Sequence, residues 1–234
     1  MCGRFTLGVE VEEAAGVFGA SVASVLTGFG PRYNIAPAED APVVIAAPEG
    51  RRMGPMSWGL AQRGWRGRRS GRLLINARSE TVARRPSFRE DFLARRCLVP
   101  ADGFYEWQNR PEGRQPYWMH RPDRALFAMA AIWSPTRRQQ NGLDTSTRAT
   151  FAVLTRAAPE SIAWLHDRAP VILPGPSWTE WLCSATRPEE LQDLLASAEP
   201  PDLATRPVSR RVNRAGYEGS RCIQAVEEVV CNEM

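Results

Sequence analysis

Lysine is absent from this 234-residue chain, so all 30 of its basic side chains are arginine. A lysine amine is the usual protein partner of an aldehyde in a Schiff base, and no side chain here supplies one. The chain's own amino terminus is the amine that remains for such chemistry. Covalent capture of an aldehyde as an imine would therefore have to begin there.

Histidine and cysteine are also scarce. The histidines are His120 and His166, and the five cysteines, at positions 2, 97, 183, 222 and 231, form no CxxC pair. An odd number of cysteines without close pairs fits neither a disulfide framework nor a zinc site. We therefore expect no metal and no organic cofactor.

Long apolar runs are missing as well, since no stretch approaches the ~18 consecutive apolar residues that suggest a transmembrane helix. The opening residues, MCGRFTLGVEVEE, turn acidic early and show no basic segment before an apolar run, which argues against a secretory signal. We expect a cytoplasmic, nucleoid-associated protein without membrane contact. The formal net charge of +4 is by itself only weak evidence for a nucleic-acid partner.

The remaining pattern is typical of a globular α+β protein with 43% hydrophobic and 24% charged residues. Short apolar segments at 41–47 and 51–60, separated by Pro-Glu-Gly, predict a β-hairpin. The polar segment 134–148 is predicted to be a surface loop, and 208–213 to be the last strand. A short helix is predicted over 9–20, where acidic residues precede an apolar face.

No internal repeat and no long linker divides the chain. We therefore expect one domain over 1–234, built on antiparallel sheet with peripheral short helices, and a monomer. Its core should span 1–218, followed by a loosely held tail over 219–234.

Cys2 is the residue with the most specific chemistry. Removal of Met1 would leave an α-amine and a thiol on adjacent carbons of one residue, with ordinary pKa values of about 8 and 8.5. The amine condenses with an aldehyde to an imine, and the thiol then closes on the imine carbon to give a five-membered thiazolidine. Holding both nucleophiles on one residue makes the second step intramolecular, which favours it strongly.

Eight sequence blocks then point to a family. In chain order they are MCGRF at 1–5, YNIAP at 33–37, SWGL at 57–60, INARSET at 75–81, PSFRE at 86–90, CLVPADGFYEW at 97–107, HDRAPVIL at 166–173 and VSRRVN at 208–213. Together they resemble the SOS-response-associated peptidase (SRAP) family. The resemblance implies a barrel-like SRAP domain that forms a thiazolidine with abasic sites in single-stranded DNA.

The resemblance also implies supporting residues. His166 would donate the proton that opens the closed abasic sugar. Glu106, between aromatic neighbours, would exchange protons with the α-amine, and Asn76 would orient the sugar or the amine. Taken alone, each residue has a structural explanation: a helix-end histidine, a carboxylate paired with an arginine, and an asparagine bonded to backbone.

Arginines and aromatic residues near these blocks are expected to bind the DNA. Arginines would contact phosphates and aromatics would stack on bases. The predicted residues are Arg4, Phe5, Asn34, Trp65, Arg78, Trp107 and Arg168. For the arginine-rich run around Trp65, a solvated charged surface is an equal alternative.

Two other functions remain open on the sequence. Cys2 and His166 could serve as nucleophile and base of a peptidase, including one that removes its own N-terminal extension. A non-covalent reader of single strands or modified bases would explain the arginines and tryptophans, but it would leave Cys2, Glu106 and His166 without a role.

Overall fold

The computed structural model describes residues 2–60, 73–140 and 143–226, and for 136–148 only their backbone. Within these ranges the strands are β1 (Phe5–Leu7), β2 (Ala20–Val22), β3 (Arg32–Ile35), β4 (Asp40–Ala47), β5 (Gly50–Trp58), β6 (Asn76–Arg78), β7 (Arg96–Ala101), β8 (Gly103–Arg110), β9 (Gly113–His120), β10 (Phe127–Gln140), β11 (Leu143–Ala157), β12 (Arg168–Pro170), β13 (Ile172–Leu173) and β14 (Ala204–Pro207). The α-helices are α1 (Val11–Phe18), α2 (Arg89–Ala94), α3 (Glu160–Ala163), α4 (Trp178–Leu182) and α5 (Pro188–Ser197).

The larger sheet closes on itself. Its strands run in the order β12, β11, β10, β7, β4, β5 and β2, with β13 attached to β10 and β6 to β11. A further parallel pairing joins β11 to β5 through Phe151 and Trp58, so five strands complete a ring. The two paired residues also stack their rings, with centroids 6.2 Å apart, so the closure is packed as well as hydrogen-bonded.

The smaller sheet, in the order β14, β9, β8, β1 and β3, separates two hydrophobic cores. Side chains alternate along β8 because successive residues of a strand point to opposite faces. Phe104 belongs to the main core between the sheets, whereas Tyr105 packs in a second cluster with Trp118, Val208 and Val212. The segment that follows β14 therefore covers the outer face of this sheet.

Helix α1 shows how local sequence sets the element boundaries. Val11, Ala14, Ala15 and Phe18 are buried at the spacing of one helical face. The helix ends at Gly19, which takes a left-handed conformation with φ 57° and returns its N–H to the last turn. The helix predicted over 9–20 is thus confirmed with slightly shorter bounds.

The predictions of a mixed α+β fold and of the 41–60 hairpin are confirmed by the observed strand pairing. The surface loop predicted for 134–148 is wrong, because β10 and β11 stay paired as far as the backbones of Gln140 and Leu143. The hydrogen-bond ladder between two antiparallel strands is made by backbone groups, so a polar sequence can form it. The Asn-Gly at 141–142, a common hairpin-turn dipeptide outside the described residues, was the available signal.

The strand predicted over 208–213 is also wrong. The strand lies just upstream, as β14, and Arg210–Asn213 forms a 3-10 helix instead. The Ser209 hydroxyl accepts a hydrogen bond from the Arg211 N–H at 3.3 Å, which caps that helix. Val208 and Val212 are apolar because they are buried against the outer face of the smaller sheet, not because they form a strand.

The segment from 219, expected to be loosely held, is attached at two points within its described part, although most of its described residues are exposed. Cys222 is fully buried, and Ala225 forms a bridge with Val208. Residues 227–234 lie outside the described residues.

None of the helices within the described ranges is long and apolar enough to cross a membrane. The same ranges contain no group of three or more His, Cys, Asp or Glu residues that could hold a metal ion. The four cysteines they include, Cys2, Cys97, Cys183 and Cys222, are free thiols.

Gly103 offers a test of the packing between β8 and β9. A Cβ added there would lie 2.1 Å from the Trp118 Nε1 and 2.8 Å from the Met119 carbonyl oxygen. We expect Gly103→Ala to lower the free energy of unfolding by about 1–3 kcal/mol because neither neighbour can yield. Urea-induced unfolding measures the change.

The matched control is Gly16→Ala on the exposed side of α1, where an added Cβ meets nothing within 4 Å. This variant should gain up to about 1 kcal/mol through helix propensity. Equal stabilities of the two variants would contradict the packing described for Gly103.

Candidate active site

The start of the chain is held inside the smaller sheet. Phe5 pairs with Phe104 of β8, and the Tyr105 N–H donates to the Arg4 carbonyl at 3.0 Å. Continued by two residues, this antiparallel register sets Gly3 opposite Glu106. Cys2, the next residue toward the terminus, is fully buried. Backbone pairing between β1 and β8 thus places Cys2 close to Glu106.

Asn76 fixes Cys2 from the other sheet. It begins β6, which lies parallel to β11, with Asn76 paired to Val153. The Asn76 side-chain amide donates to the Cys2 carbonyl at 2.8 Å. Its Oδ1 is buried and has no hydrogen-bond partner among the described residues. Asn76 therefore clamps the backbone of Cys2 and leaves one acceptor available beside it.

A cleft of about 510 Å³ opens at this place, between the two sheets. It is lined by Gly3, Arg4, Pro37, Glu106, Trp107, Arg114, His166 and Asn213. Two residues predicted to be catalytic, Glu106 and His166, thus share one cleft with the residue that follows Cys2.

His166 follows the short helix α3, in the connection between β11 and β12. Its Nδ1 lies 2.9 Å from the Arg168 backbone N–H and 2.8 Å from Asp167 Oδ1. The first contact requires a bare Nδ1, whereas the second requires a proton on it. The backbone contact is therefore made by the neutral imidazole with its proton on Nε2, and the contact with the exposed Asp167 side chain is made by the imidazolium.

Burial raises the pKa of the Glu106 carboxyl, and the positive charges of the amino terminus, His166 and Arg114 act in the opposite direction. Burial also raises the pKa of the Cys2 thiol, and the Glu106 carboxylate raises it further. At neutral pH the thiol therefore keeps its proton, and Glu106 holds a proton more readily than an exposed carboxyl does.

The cleft wall carries cations and one indole. The Arg4 guanidinium donates to Asn34 Oδ1 at 2.7 Å and to the Val212 carbonyl at 2.9 Å. The Trp107 indole N–H donates to Asn213 Oδ1 at 2.6 Å, and the Arg114 guanidinium lies 5.3 Å from the indole centroid. Both contacts fix the orientation of a partly exposed ring.

Two further predicted residues are buried behind the cleft. Phe5 contacts Trp58 edge to face in the main core, with centroids 5.2 Å apart. The Asn34 amide donates to the carbonyls of Val212, Arg214 and Tyr217. Phe5 supports the strand that carries Cys2, and Asn34 ties the segment after β14 to the rest of the molecule.

Two of the remaining predicted residues, Arg78 and Arg168, lie apart from the cleft lining. Arg78 is exposed at the end of β6. Arg168 pairs with both carboxylate oxygens of Glu80, at 2.6 and 2.8 Å, and donates to the Thr155 carbonyl at 2.6 Å. Its hydrogen bond to Glu80 lowers the pKa of that carboxyl. Trp65 and its arginine-rich run lie outside the described residues.

Sequence reasoning missed four residues of the lining, Gly3, Pro37, Arg114 and Asn213, of which Gly3 lies within the first sequence block. Pro37 and Asn213 each end one of the blocks quoted above, so their position was available as a signal. Arg114 lies in no block. Its place depends on the β8–β9 register, which pairs it with Asn109 and brings it near Trp107.

Known proteins resemble this chain over nearly its whole length. The chain is 34% identical to the abasic site processing protein YobE of Bacillus subtilis (strain 168) over 215 residues, covering 91% of this chain and 96% of YobE. It is 29% identical to the abasic site processing protein YedK of Escherichia coli (strain K12) over 232 residues, covering 97% and 100%.

A crystal structure of a protein from Bacteroides thetaiotaomicron has the same fold, with a TM-score of 0.83 over 97% of this chain and all of that chain, at 20% identity. The model of the family described as SOS response associated peptidase (SRAP) matches residues 1–215. This match spans every element from β1 to the 3-10 helix after β14, including all the residues of the cleft lining. The chain therefore belongs to the SRAP family.

Proposed function

We propose that this protein captures abasic sites in single-stranded DNA through a thiazolidine formed by Cys2 after removal of Met1. The names of its relatives support an abasic substrate. The observation that carries the proposal is the Asn76 clamp on the Cys2 carbonyl, at 2.8 Å, beside a cleft that Glu106 and His166 share. A non-covalent reader would have no use for this arrangement.

The chemistry balances with one water as its by-product. Ring opening moves a proton from the C1 hydroxyl to the ring oxygen while the C1–O bond breaks, which gives the free aldehyde. The Cys2 amine adds to the aldehyde and water leaves, which gives the imine. The thiol sulfur then bonds to the imine carbon, and its proton ends on nitrogen. No oxidant, metal or cofactor takes part in these steps.

His166 is the acid for ring opening. It acts as the imidazolium, in which Nδ1–H donates to Asp167 Oδ1 at 2.8 Å and the Nε2 proton passes to the sugar oxygen, which leaves a neutral imidazole. The side chain is 34% exposed, so the imidazole can regain its proton from solvent. Arg168, held by Glu80 and by the Thr155 carbonyl, keeps this turn in place.

Glu106 handles the protons of the Cys2 amine and thiol. Its carboxyl pKa, raised by burial, lies closer to neutrality and suits it to accept and return a proton. Asn76 Oδ1, which has no hydrogen-bond partner among the described residues, is placed to accept a hydrogen bond from the amine or from a sugar hydroxyl. Glu106 and Asn76 both act at the amino terminus, which the Asn76 hydrogen bond to the Cys2 carbonyl holds in place.

Residues on the cleft wall and near it contact the phosphates and bases of the strand. Arg4, Arg114 and the exposed Arg78 supply positive charge for the backbone. Trp107, whose indole is oriented by Asn213, supplies a ring for stacking. The strand is single because the reacting sugar must reach a residue buried between two sheets.

A peptidase built on Cys2 fits the site less well. Cysteine nucleophiles of peptidases act as thiolates and need a lowered thiol pKa. Here burial and the Glu106 carboxylate raise the pKa of the Cys2 thiol. A protonated thiol suits addition to an imine, in which its proton has a destination on nitrogen.

Cys2→Ala should abolish covalent capture. Purified protein with its N-terminal mass verified is mixed with single-stranded DNA carrying one abasic site, and a denaturing gel without reductant reveals the adduct. The matched control inserts one alanine before Cys2, which keeps the thiol but moves the amine to another residue. We expect no stable adduct from either variant, and a stable adduct from the insertion variant would exclude a thiazolidine.

His166→Gln should slow capture of a natural abasic site by roughly 100-fold or more, the usual size of a lost general acid. The same variant should capture DNA bearing an open-chain aldehyde at the wild-type rate, because that substrate needs no ring opening. Rates come from quenched time courses. An equal defect on both substrates would show that His166 acts after ring opening.

Glu106→Gln should slow adduct formation while raising thermal stability at neutral pH. Because the folded state raises the carboxyl pKa, it binds the proton more tightly than the unfolded chain does. The wild type thus loses stability as pH rises from the ordinary carboxyl value through the raised one, and glutamine removes that loss. The difference in Tm between Glu106→Gln and the wild type should become smaller in acid. If the variant is less stable than the wild type at neutral pH, burial of the Glu106 carboxylate does not destabilise the folded protein as proposed.

A further inference from the structure

Trp164 is the one aromatic residue among the large hydrophobic side chains that are exposed in the described part of the chain. Its exposed fraction is 53%, on the turn between α3 and His166. Leaving an indole in water forgoes the large gain that burial would bring. An exposed ring this close to a reactive cleft is therefore a candidate contact surface for a ligand.

The exposed ring is held in one orientation. Its N–H donates to the Ser161 carbonyl at 3.1 Å. Its edge-to-face contact with Tyr117 has centroids 5.1 Å apart and an interplanar angle of 85°. Since the indole N–H is already bonded, what Trp164 offers to a ligand is a flat π surface, not a hydrogen bond.

Two connections link Trp164 to residues of the cleft lining, although Trp164 itself is not one of them. Tyr117 is the cross-strand partner of Glu106, and directly paired residues project from the same face of a sheet. His166, two residues further along the chain, lines the cleft itself. Trp107 lies on the same cleft but follows Glu106 on β8, so it projects from the opposite face of that strand.

The charges around Trp164 decide which part of a nucleic acid it meets. Its own turn carries the acidic residues Glu160 and Asp167, which repel phosphates. Arg4 and Arg114 belong to the cleft wall, and Arg110 is engaged by the Tyr117 hydroxyl, to which it donates at 2.6 Å. A base is thus a better occupant for this ring than the sugar–phosphate backbone is.

We propose that Trp164 is a stacking platform for a base next to the abasic nucleotide, on the His166 side of the cleft. The inference rests on the proposed function, since the strand in the cleft supplies that base. A base beside an abasic site has lost one stacking neighbour, so its exposed face is available to the indole. Trp164 thereby positions the strand and touches none of the reacting atoms.

The test measures equilibrium binding of the full-length protein to single-stranded DNA carrying a tetrahydrofuran analogue, which has no aldehyde and cannot react. Trp164→Ala and Trp164→Leu should raise Kd by about 5- to 100-fold, the range expected for one lost base–aromatic stack. Trp164→Phe should remain within about 3-fold of wild type because phenylalanine retains a flat ring. Leucine is the matched control, since it preserves apolar bulk without a π face.

A second readout locates the stack. Replacing each flanking base in turn by 2-aminopurine should show fluorescence quenching on binding at one flank in the wild type and in Trp164→Phe. That quenching should be lost in Trp164→Leu, while thermal melting confirms that each variant is folded. Unchanged Kd and unchanged quenching in Trp164→Leu would overturn the inference.

Reaction with true abasic DNA separates the two proposals. At saturating DNA, Trp164→Leu should reach the same final yield of adduct as the wild type. Absence of adduct from every variant, the wild type included, would remove the proposed function. Adduct formation by all variants at equal Kd would remove only the role of Trp164.

Discussion

The position of β1 between β8 and β3 is the constraint on which the rest of the site depends. Terminal residues are usually free to fray, but here the first strand is paired on both sides. Its register carries Cys2 to Glu106, and the Asn76 amide from the larger sheet then holds the Cys2 carbonyl. The chain start becomes a fixed part of the site because three strands remote in sequence converge on it.

The cleft concentrates polar groups that a stable core would avoid. Glu106 is buried with a raised carboxyl pKa, and one amide oxygen of Asn76 is buried without a hydrogen bond among the described residues. Such groups reduce stability, and they occur where chemistry or binding needs them. Elsewhere in the described chain a buried charge is compensated: Arg96, for example, donates to the carbonyls of Phe92, Leu93, Trp181 and Cys183.

Much of the fold and part of the site could be predicted from the sequence. The features that could not be predicted depend on tertiary packing. Cys2 stood out because its chemistry depends only on its place at the chain start, and periodicity predicted α1 and the 41–60 hairpin. Arg168 and Asn34 were assigned by their neighbourhood in the sequence, which does not reveal that Glu80 and backbone carbonyls engage them. Arg114 and Trp164 depend on register and on exposure, which follow from tertiary packing and have no local signal.

The central place of β1 also sets an order of events during synthesis. Its partner β8 begins at Gly103, so about 100 further residues must be made before the start of the chain can be enclosed. At translation rates of roughly 5–20 residues per second, this interval lasts on the order of 5–20 s. During that time the amino terminus stays accessible, and the removal of Met1 that the proposed function requires belongs to this interval. Synthesis on the ribosome therefore gives that proposed step a period of access before pairing with β8 encloses Cys2, which is fully buried in the finished fold.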